Sequence, residues 1–378
     1  MIRVAIVGSG TIAALHLRAY LAFPDRCRIV ALVDTFRDKA LAMRTEYGLD
    51  DAVVLDSHEA LCGLGGVDLV SICTPPFTHA GIAEDCMRAG IDVIVEKPMA
   101  ASLEECDRIM AVERETGRTL SAVAQNRFRT PVMNLKKLLD QDRIGSILHV
   151  QADSLWWRGL CYYDLWWRGT WSREGGGCTL NHAVHHIDLI NWMMGMPRQV
   201  VSVIANVAHD NAEVEDLSVS ILRYERAVGQ LTGSVVHHGE SQQIVFQAEK
   251  ARVSYPFDVY ASTSRENGFP MRNEALEAEI RAAYEALPPL RHEGHTAQID
   301  DVLGAIEAGR QPLITSQDGR NTIELITAIY KAGSTGLPAD LPIRSDDPWY
   351  TTGGILRNAK HFYEKKKQVD RLDGEITV

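Results

Sequence analysis

Arg3-Val-Ala-Ile-Val-Gly-Ser-Gly-Thr-Ile-Ala13 lies near the start of the chain, and its reading decides the fold. A short apolar run stops at a glycine turn and passes into a helical pattern with Ile12, Leu15, Leu17, Tyr20 and Leu21. Runs of that kind are buried in parallel sheets. In the turn, Gly8-x-Gly10-x-x-Ala13, the glycines let backbone approach a pyrophosphate, while the helix N-terminus supplies N–H donors and a positive dipole end. About 20 residues further on, Ile29-Val-Ala-Leu-Val-Asp34 ends a second run on a carboxylate, the group that holds an adenosine ribose diol. Alone, the glycine motif is often only a tight turn. Within a strand–helix–strand unit that carries the acid, it reads as a dinucleotide site. Asp34 would repel a 2′-phosphate, so NAD is favoured over NADP, although Arg37 lies close enough to keep NADP in view.

Working outward, apolar runs at Val53–Leu55, Val67–Ile72, Ile91–Val95 and Thr119–Val123 alternate with helical segments. That alternation gives an α/β Rossmann domain, a doubly wound parallel sheet, over residues 1–125. After Asn126 the pattern changes. A helix from about Cys178 to Met194 precedes period-2 runs between Val200 and Ser254, and helices are expected near 274–285, 295–307, 318–331 and 354–365. Residues 126–378 thus read as a C-terminal α+β domain with a large, mostly antiparallel sheet, serving substrate binding and oligomerisation. An open apolar sheet face needs a partner, so a homo-oligomer, dimer or tetramer, is expected.

Composition narrows the function classes. In 378 residues, 46% are hydrophobic and 24% charged, as in a folded globular protein rather than a disordered one. A net charge of −11 repels phosphate backbones and anionic lipid, so nucleic acid and membranes are poor partners. No uncharged run reaches the ~20 residues of a membrane helix, and no signal-peptide pattern precedes the first strand. The seven cysteines form no C-x-x-C pair and read as reduced thiols of a cytoplasmic protein.

Two further stretches carry chemistry. Glu96-Lys97-Pro98 ends a parallel strand, the edge at which open-sheet ligands bind, although a lysine there is ordinarily a surface charge. In Gly175-Gly-Gly-Cys-Thr-Leu-Asn-His-Ala-Val-His-His-Ile-Asp188, three glycines give a flexible lead-in to a helix on which Asn181 and His185 share one face. A lone helical histidine is more often a satisfied core residue; one aligned with an amide behind three glycines points to a cleft. His182, His185 and His186 lack the glutamate of an H-E-x-x-H site, so no metal is expected. Cys178 lacks a local base and reads as a buried thiol.

Before that block, five of the seven tryptophans fall between 156 and 171, and Leu155-Trp-Trp-Arg-Gly159 recurs as Leu165-Trp-Trp-Arg-Gly169. Such aromatics pack cores and interfaces, or their flat faces stack on a sugar or aglycone, with Tyr163, Trp167 and Arg168 contacting substrate. His237-His238-Gly-Glu240 ends a strand and either closes the pocket or is a polar hairpin.

Together these elements resemble the Gfo/Idh/MocA family of NAD(P)-dependent sugar and polyol oxidoreductases, which includes inositol dehydrogenases. The likeness runs through Gly8–Ala13 with His16, Thr74-Pro-Pro-x-x-His79, Glu96-Lys-Pro98, Gln125-Asn-Arg-Phe128, Gly175–Asp188 and Asp318-Gly319…Ala328-x-Tyr330, nearly the whole chain. It implies catalytic roles for Lys97 and His185. It also implies cofactor contacts at Gly8, Gly10, Thr11, Ile12, Asp34, Thr74, Pro75, His79, Glu96, Lys97 and Gln125. Substrate contacts are expected at Lys97, Arg127, Tyr163, Trp167, Arg168, Asn181, His182, His185 and His238. The resemblance further implies a cis peptide at Lys97–Pro98. Many members carry Asp where this chain has Asn181, which bears on the substrate more than on the chemistry.

The expected reaction is oxidation of a secondary hydroxyl of a sugar, glycoside or cyclic polyol, with pyranose C3 as a candidate position. Here His185 is the general base and Lys97 stabilises the developing alkoxide. Those two groups are expected to converge across the seam between the domains. Two alternatives remain open: redox-neutral hydrolysis, elimination or epimerisation with NAD held throughout, and a non-catalytic sugar or NAD sensor.

Overall fold

A computed structural model describes Met1–Val369. The chain divides into two compact units, residues 1–130 with 290–323 and residues 131–289 with 324–378. The sequence pattern places one boundary at residue 125; in the structure the first unit also takes in a return segment near the C-terminal end.

In the first unit, β1 (Ile2–Val7), β2 (Cys27–Val33), β3 (Val53–Leu55), β4 (Leu69–Ile72), β5 (Asp92–Val95) and β6 (Leu120–Ala122) form one parallel sheet. Their order is β3-β2-β1-β4-β5-β6, the doubly wound arrangement expected. Helices α1 (Thr11–Leu21), α2 (Arg37–Glu46), α3 (His58–Leu64), α4 (His79–Arg88) and α5 (Leu103–Thr116) supply the crossovers. β1, β4 and β5 are almost wholly buried, which explains their mostly apolar composition.

In the second unit, α6 (Thr130–Leu139) leads to β7 (Ile147–Leu155), then α7 (Cys178–Asn181) and α8 (Val184–Met194). Strands β8 (Gln199–Ala205), β9 (Leu217–Arg223), β10 (Val228–Ser234), β11 (Gln242–Ala248), β12 (Ala251–Tyr255), β13 (Val259–Ser264) and β14 (Pro270–Arg272) follow, and α9 (Glu274–Glu285) closes this stretch. α10 (Gly294–Ala308) belongs to the first unit, and α11 (Ser316–Thr335), β15 (Ala339–Asp340) and α12 (Thr352–Asn358) complete the chain.

The return of α10 is built from packing and polar contacts. Ile299, Val302 and Leu303 join the core formed by Val4, Ile6, Leu17 and Tyr20. The buried Gln298 amide accepts from Ala124 N–H and donates to Ala122 O, finishing the backbone beyond β6. Arg26 pairs with Asp300 and Glu307.

The second sheet has nine strands in the order β14-β13-β12-β11-β7-β10-β9-β8-β15, antiparallel except for β7 beside β10. One face packs Val150, Leu222, Leu231 and Phe246 into a core. On the other, Val201, Val219 and Ile221 are exposed and Val203 retains 69% of its surface, so the period of two places valines in solvent as well as inside.

Two expected elements differ. The helix from 178 to 194 is split, because Ala183 N–H bonds Cys178 O, one residue wider than an α-turn, before α8 begins. The helix expected over 354–365 ends at Asn358; beyond it Phe362 N–H donates to Glu213 O and Val369 N–H to Asp164 O, drawing the chain out as a strap.

Phe246 is fully buried in the centre of the second sheet. Phe246→Ala is expected to lower stability by about 3–5 kcal/mol, read as a lower urea midpoint. An unchanged midpoint would contradict the core described here.

Candidate functional site

The glycine turn is shaped for a dinucleotide. Gly8 has φ +95°, and a Cβ there would stand 2.7 Å from Cys73 O, so neither the backbone angle nor the space admits a side chain. Gly10 caps α1 without any side-chain hydrogen bond, and a Cβ placed on it meets nothing within 4 Å. The first N–H groups of α1, at Thr11 and Ile12, therefore front open space. Asp34 ends β2 with one carboxylate oxygen accepting from Ser9 N–H at 2.7 Å and the other from Phe36 N–H at 2.8 Å. Arg37 turns away to donate to Val54 O. Ser9 Oγ and Gln125 Oε1 are buried polar atoms without a hydrogen-bond partner among the described residues. Such orphaned acceptors and donors suit a polar ligand along this edge. The residues fit a bound dinucleotide.

Glu96, at the end of β5, is the most constrained group of this edge. It is buried, and its Oε1 lies 3.0 Å from His16 Nε2 and 3.4 Å from His295 Nε2, while Oε2 accepts from Lys97 N–H at 3.0 Å. Burial alone would raise this carboxyl, yet the hydrogen bonds from His16 and His295 hold it well below its ordinary range. Burial lowers the His16 imidazole towards its neutral form. A neutral ring has one N–H, and the carboxylate claims it at Nε2; Nδ1 is then left to accept from Ser71 Oγ at 3.1 Å. Ser71 Oγ in turn sits 2.7 Å from the Tyr20 hydroxyl. His16, Glu96 and His295 also have the atom types of a metal centre, all within 4.8 Å. Donors and acceptors match there without an ion.

Lys97 itself is half-buried, and the Lys97–Pro98 peptide is cis. His79 braces the turn from below: its ring nitrogens lie 2.8 Å from Pro98 O and 2.7 Å from Thr74 O, and burial lowers its pKa. His79 is thus buried behind Thr74 and Pro75, which are themselves half-buried. Arg127, expected at substrate, is fully buried with its guanidinium 3.0 Å from Asp318.

In the second unit the three glycines are not a flexible lead-in. A Cβ on Gly177 would fall 1.8 Å from Glu215 O, so the segment is pressed against its neighbour. Fully buried Glu215 accepts from Gly177 N–H, Thr179 N–H and the Tyr330 hydroxyl at 2.9–3.1 Å. Burial pushes its carboxyl up against those donors. This clamp fixes the start of α7. Across α7 and α8, Asn181 and His185 are half-buried while His182, Ala183, Val184 and His186 are buried. His182 packs its ring against Trp156 and Tyr162.

The aromatic stretch divides its labour. Tyr163 is buried, with its ring edge-on to His209, and is not available to a substrate. Arg168 lies over the rings of Trp167 and Tyr162, pairs with Glu174 at 3.0 Å and meets the Tyr162 hydroxyl. Its Nε is buried without a hydrogen-bond partner among the described residues. His238 is exposed and stacked on Trp157. A cavity of ≈ 710 Å³ lies between Trp166, Arg173 and Glu213 and the strap residues His361 and Lys365; neither Asn181 nor His185 lines it.

The sequence reading missed Glu215, Glu174 and His295. Glu215 and His295 act through contacts far along the chain, and only the acidic run Glu213-Val-Glu-Asp216 ahead of β9 hinted at the first; Glu174 acts on Arg168 and Gly169 just before it, a local pairing the sequence did not single out.

Glu174 supplies a pH test. Burial pushes its carboxyl up from about 4.5 to about 7, with the Arg168 charge and Gly169 N–H opposing. The folded state therefore binds its proton more tightly than the unfolded state, and stability falls as pH rises between those values. Urea unfolding should show a loss of about 2–3 kcal/mol across that window, which Glu174→Gln removes. An equal loss in the variant would assign it elsewhere.

The comparisons with known proteins agree with this architecture. The oxidoreductase family with NAD-binding Rossmann fold, GFO/IDH/MocA, matches residues 2–124, and the GFO/IDH/MocA C-terminal domain matches residues 132–254. Inositol 2-dehydrogenase 1 of Saccharopolyspora erythraea is 25% identical, over 93% of this chain and 99% of that protein. Myo-inositol 2-dehydrogenase of Thermotoga maritima is 24% identical, over 87% of this chain and 96% of its own. The WlbA dehydrogenase of Bordetella pertussis, solved with NADH and UDP-GlcNAcA, superposes with a TM-score of 0.79 at 28% identity, covering 91% of this chain and 98% of that one. With both of its domains matched and the Rossmann order β3-β2-β1-β4-β5-β6 observed, this chain belongs to the GFO/IDH/MocA family of oxidoreductases.

Proposed function

We propose that this protein oxidises a secondary hydroxyl of a cyclic polyol, sugar or glycoside, with NAD as acceptor. His185 takes the hydroxyl proton, and Lys97 hydrogen-bonds the same oxygen. The observation that carries the reading is the Glu96 carboxylate. It is ionised in a buried setting and fixes the Lys97 backbone at the carboxyl end of β5, the sheet edge at which ligands of this fold bind.

Gly8, Gly10, Thr11 and Ile12 would receive the pyrophosphate at the N-terminus of α1, and Asp34 the adenosine ribose. Thr74, Pro75, Glu96 and Gln125 would line the remainder. When bound, NAD supplies the hydride acceptor. NAD is preferred over NADP because Asp34 repels a 2′-phosphate and Arg37 is engaged at Val54 O.

Removing a carbinol hydride leaves charge on oxygen unless the hydroxyl proton departs with it. An imidazole has an ordinary pKa near ~6.5 and accepts that proton at neutral pH. As that proton departs, negative alkoxide charge builds on the oxygen, and an ammonium hydrogen-bonded to it lowers the barrier by about 3 kcal/mol. Asn181 offers an amide to a neighbouring hydroxyl. The inositol dehydrogenases and the sugar-nucleotide complex among the relatives favour a ring alcohol as substrate.

A screen of NAD⁺ and NADP⁺ reduction over inositols, hexoses, sugar acids and aryl glycosides should find NAD⁺ reduction with at least one ring alcohol. Lys97→Ala is expected to lower turnover by about 100-fold or more with NAD binding retained. His185→Ala should do the same and remove the acid limb of the pH–rate profile. Unchanged turnover in either variant would end the proposal for that residue.

The exposed valines of β8 and β9 give the second sheet an apolar outer face, which supports a homo-oligomer. Val203→Glu is expected to shift the mass seen by light scattering towards the monomer. An unaltered oligomer would place the interface elsewhere.

A further inference from the structure

Helices α3 and α4 bring two thiols together on the first unit. Cys62 Sγ and Cys86 Sγ lie 3.9 Å apart. Cys86 is fully buried, whereas Cys62 is half-buried and in reach of small solutes. One helical turn before Cys62, His58 Nε2 sits 3.0 Å from Asp85 Oδ2, the neighbour of Cys86. An imidazole–carboxylate pair therefore pins the same two helices beside the sulfurs, and it sets the His58 ring close to Cys62.

The Cys86 hydrogen bond, aided by His58, holds the Cys62 thiol below its ordinary range against its burial. A lowered pKa raises the thiolate share above the few per cent of an ordinary cysteine at neutral pH. Cys86 is pushed far the other way by Cys62 and by burial. A reactive, accessible sulfur beside a protonated, sheltered one is the arrangement of an attacking and a resolving cysteine.

We propose that Cys62 and Cys86 form a reversible two-electron redox site in which Cys62 reduces a hydroperoxide and Cys86 resolves the product as a disulfide. The Cys62 thiolate attacks the O–O bond of hydrogen peroxide. An S–O bond forms, the O–O bond breaks, and the departing hydroxide takes a proton to become water. Cys62 is then a sulfenic acid. Cys86 sulfur attacks it, the S–S bond forms, the S–O bond breaks, and the hydroxyl leaves with the Cys86 proton as a second water. Two thiols and one peroxide become one disulfide and two waters. The sulfurs must close by about 2 Å to reach disulfide length, which side-chain rotation of two facing cysteines can supply. The bridge would staple α3 to α4 around β4 and the Thr74–His79 turn.

The site is independent of the dehydrogenase reading, so its test needs no substrate. Reduced full-length protein is treated with equimolar hydrogen peroxide at neutral pH, and its thiols are counted and mapped by non-reducing peptide mass spectrometry. Two thiols should disappear per chain, Cys62 should be found joined to Cys86, and dithiothreitol should restore both. Cys62→Ser should slow thiol loss about tenfold or more, and Cys86→Ser should leave a Cys62 sulfenic acid that dimedone traps. Oxidation confined to exposed Cys161, or thiol loss without a 62–86 peptide, would overturn the proposal. The wild-type map decides the matter even where a variant fails to fold.

Discussion

A buried carboxylate shared by two imidazoles and a backbone N–H is the constraint on which the cofactor-side edge of the first unit depends. Taking a carboxylate out of water costs several kcal/mol, and that cost is offset only where its lone pairs are claimed. Glu96 has its donors on three separate elements: His16 on α1, Lys97 after β5 and His295 on α10. Moving any one of them exposes a desolvated charge. The glycine turn, the Lys97–Pro98 turn and the returning helix are therefore held as one rigid piece, and His79 adds a brace between Thr74 and Pro98.

The second unit uses the same device with a different partner set. Glu215 gathers two N–H groups from the glycine-rich segment and the hydroxyl of Tyr330. A glycine is needed at 177 because Glu215 backbone lies where a side chain would start. Rigid support of this kind would keep Asn181 and His185 at fixed places on α7 and α8, as the proposed site requires.

Much of the fold was legible in the sequence because its signals are local. Apolar runs alternating with helices gave the parallel sheet, and the period of two gave the strands from β8 to β12. What stayed hidden depends on distant pairings. Nothing near Ile299 or Gln298 shows that α10 packs on α1 and completes the backbone after β6. Arg127, Tyr163 and Arg168 looked like substrate contacts because charged and aromatic residues near a motif usually face a cleft. The structure buries Arg127 against Asp318 and Tyr163 against His209, and pairs half-buried Arg168 with Glu174. The repeated Leu-Trp-Trp-Arg-Gly sequence likewise hides a difference. Its first copy pairs along β10, with Trp156 N–H on Ser234 O, and its second forms a loop closed by Glu174.

Lys97 and Glu96 give the proposal its chemistry: a lysine whose backbone is fixed at the sheet edge makes sense if negative charge develops on a substrate oxygen as its proton leaves ahead of the hydride. The most direct measurement follows the hydrogen. A ring alcohol oxidised by the enzyme is labelled with deuterium at the reacting carbinol carbon and turned over with NAD⁺. The account predicts deuterium at C4 of the reduced nicotinamide and a slowed turnover of the labelled substrate. Deuterium released to water, with the nicotinamide unlabelled, would contradict it.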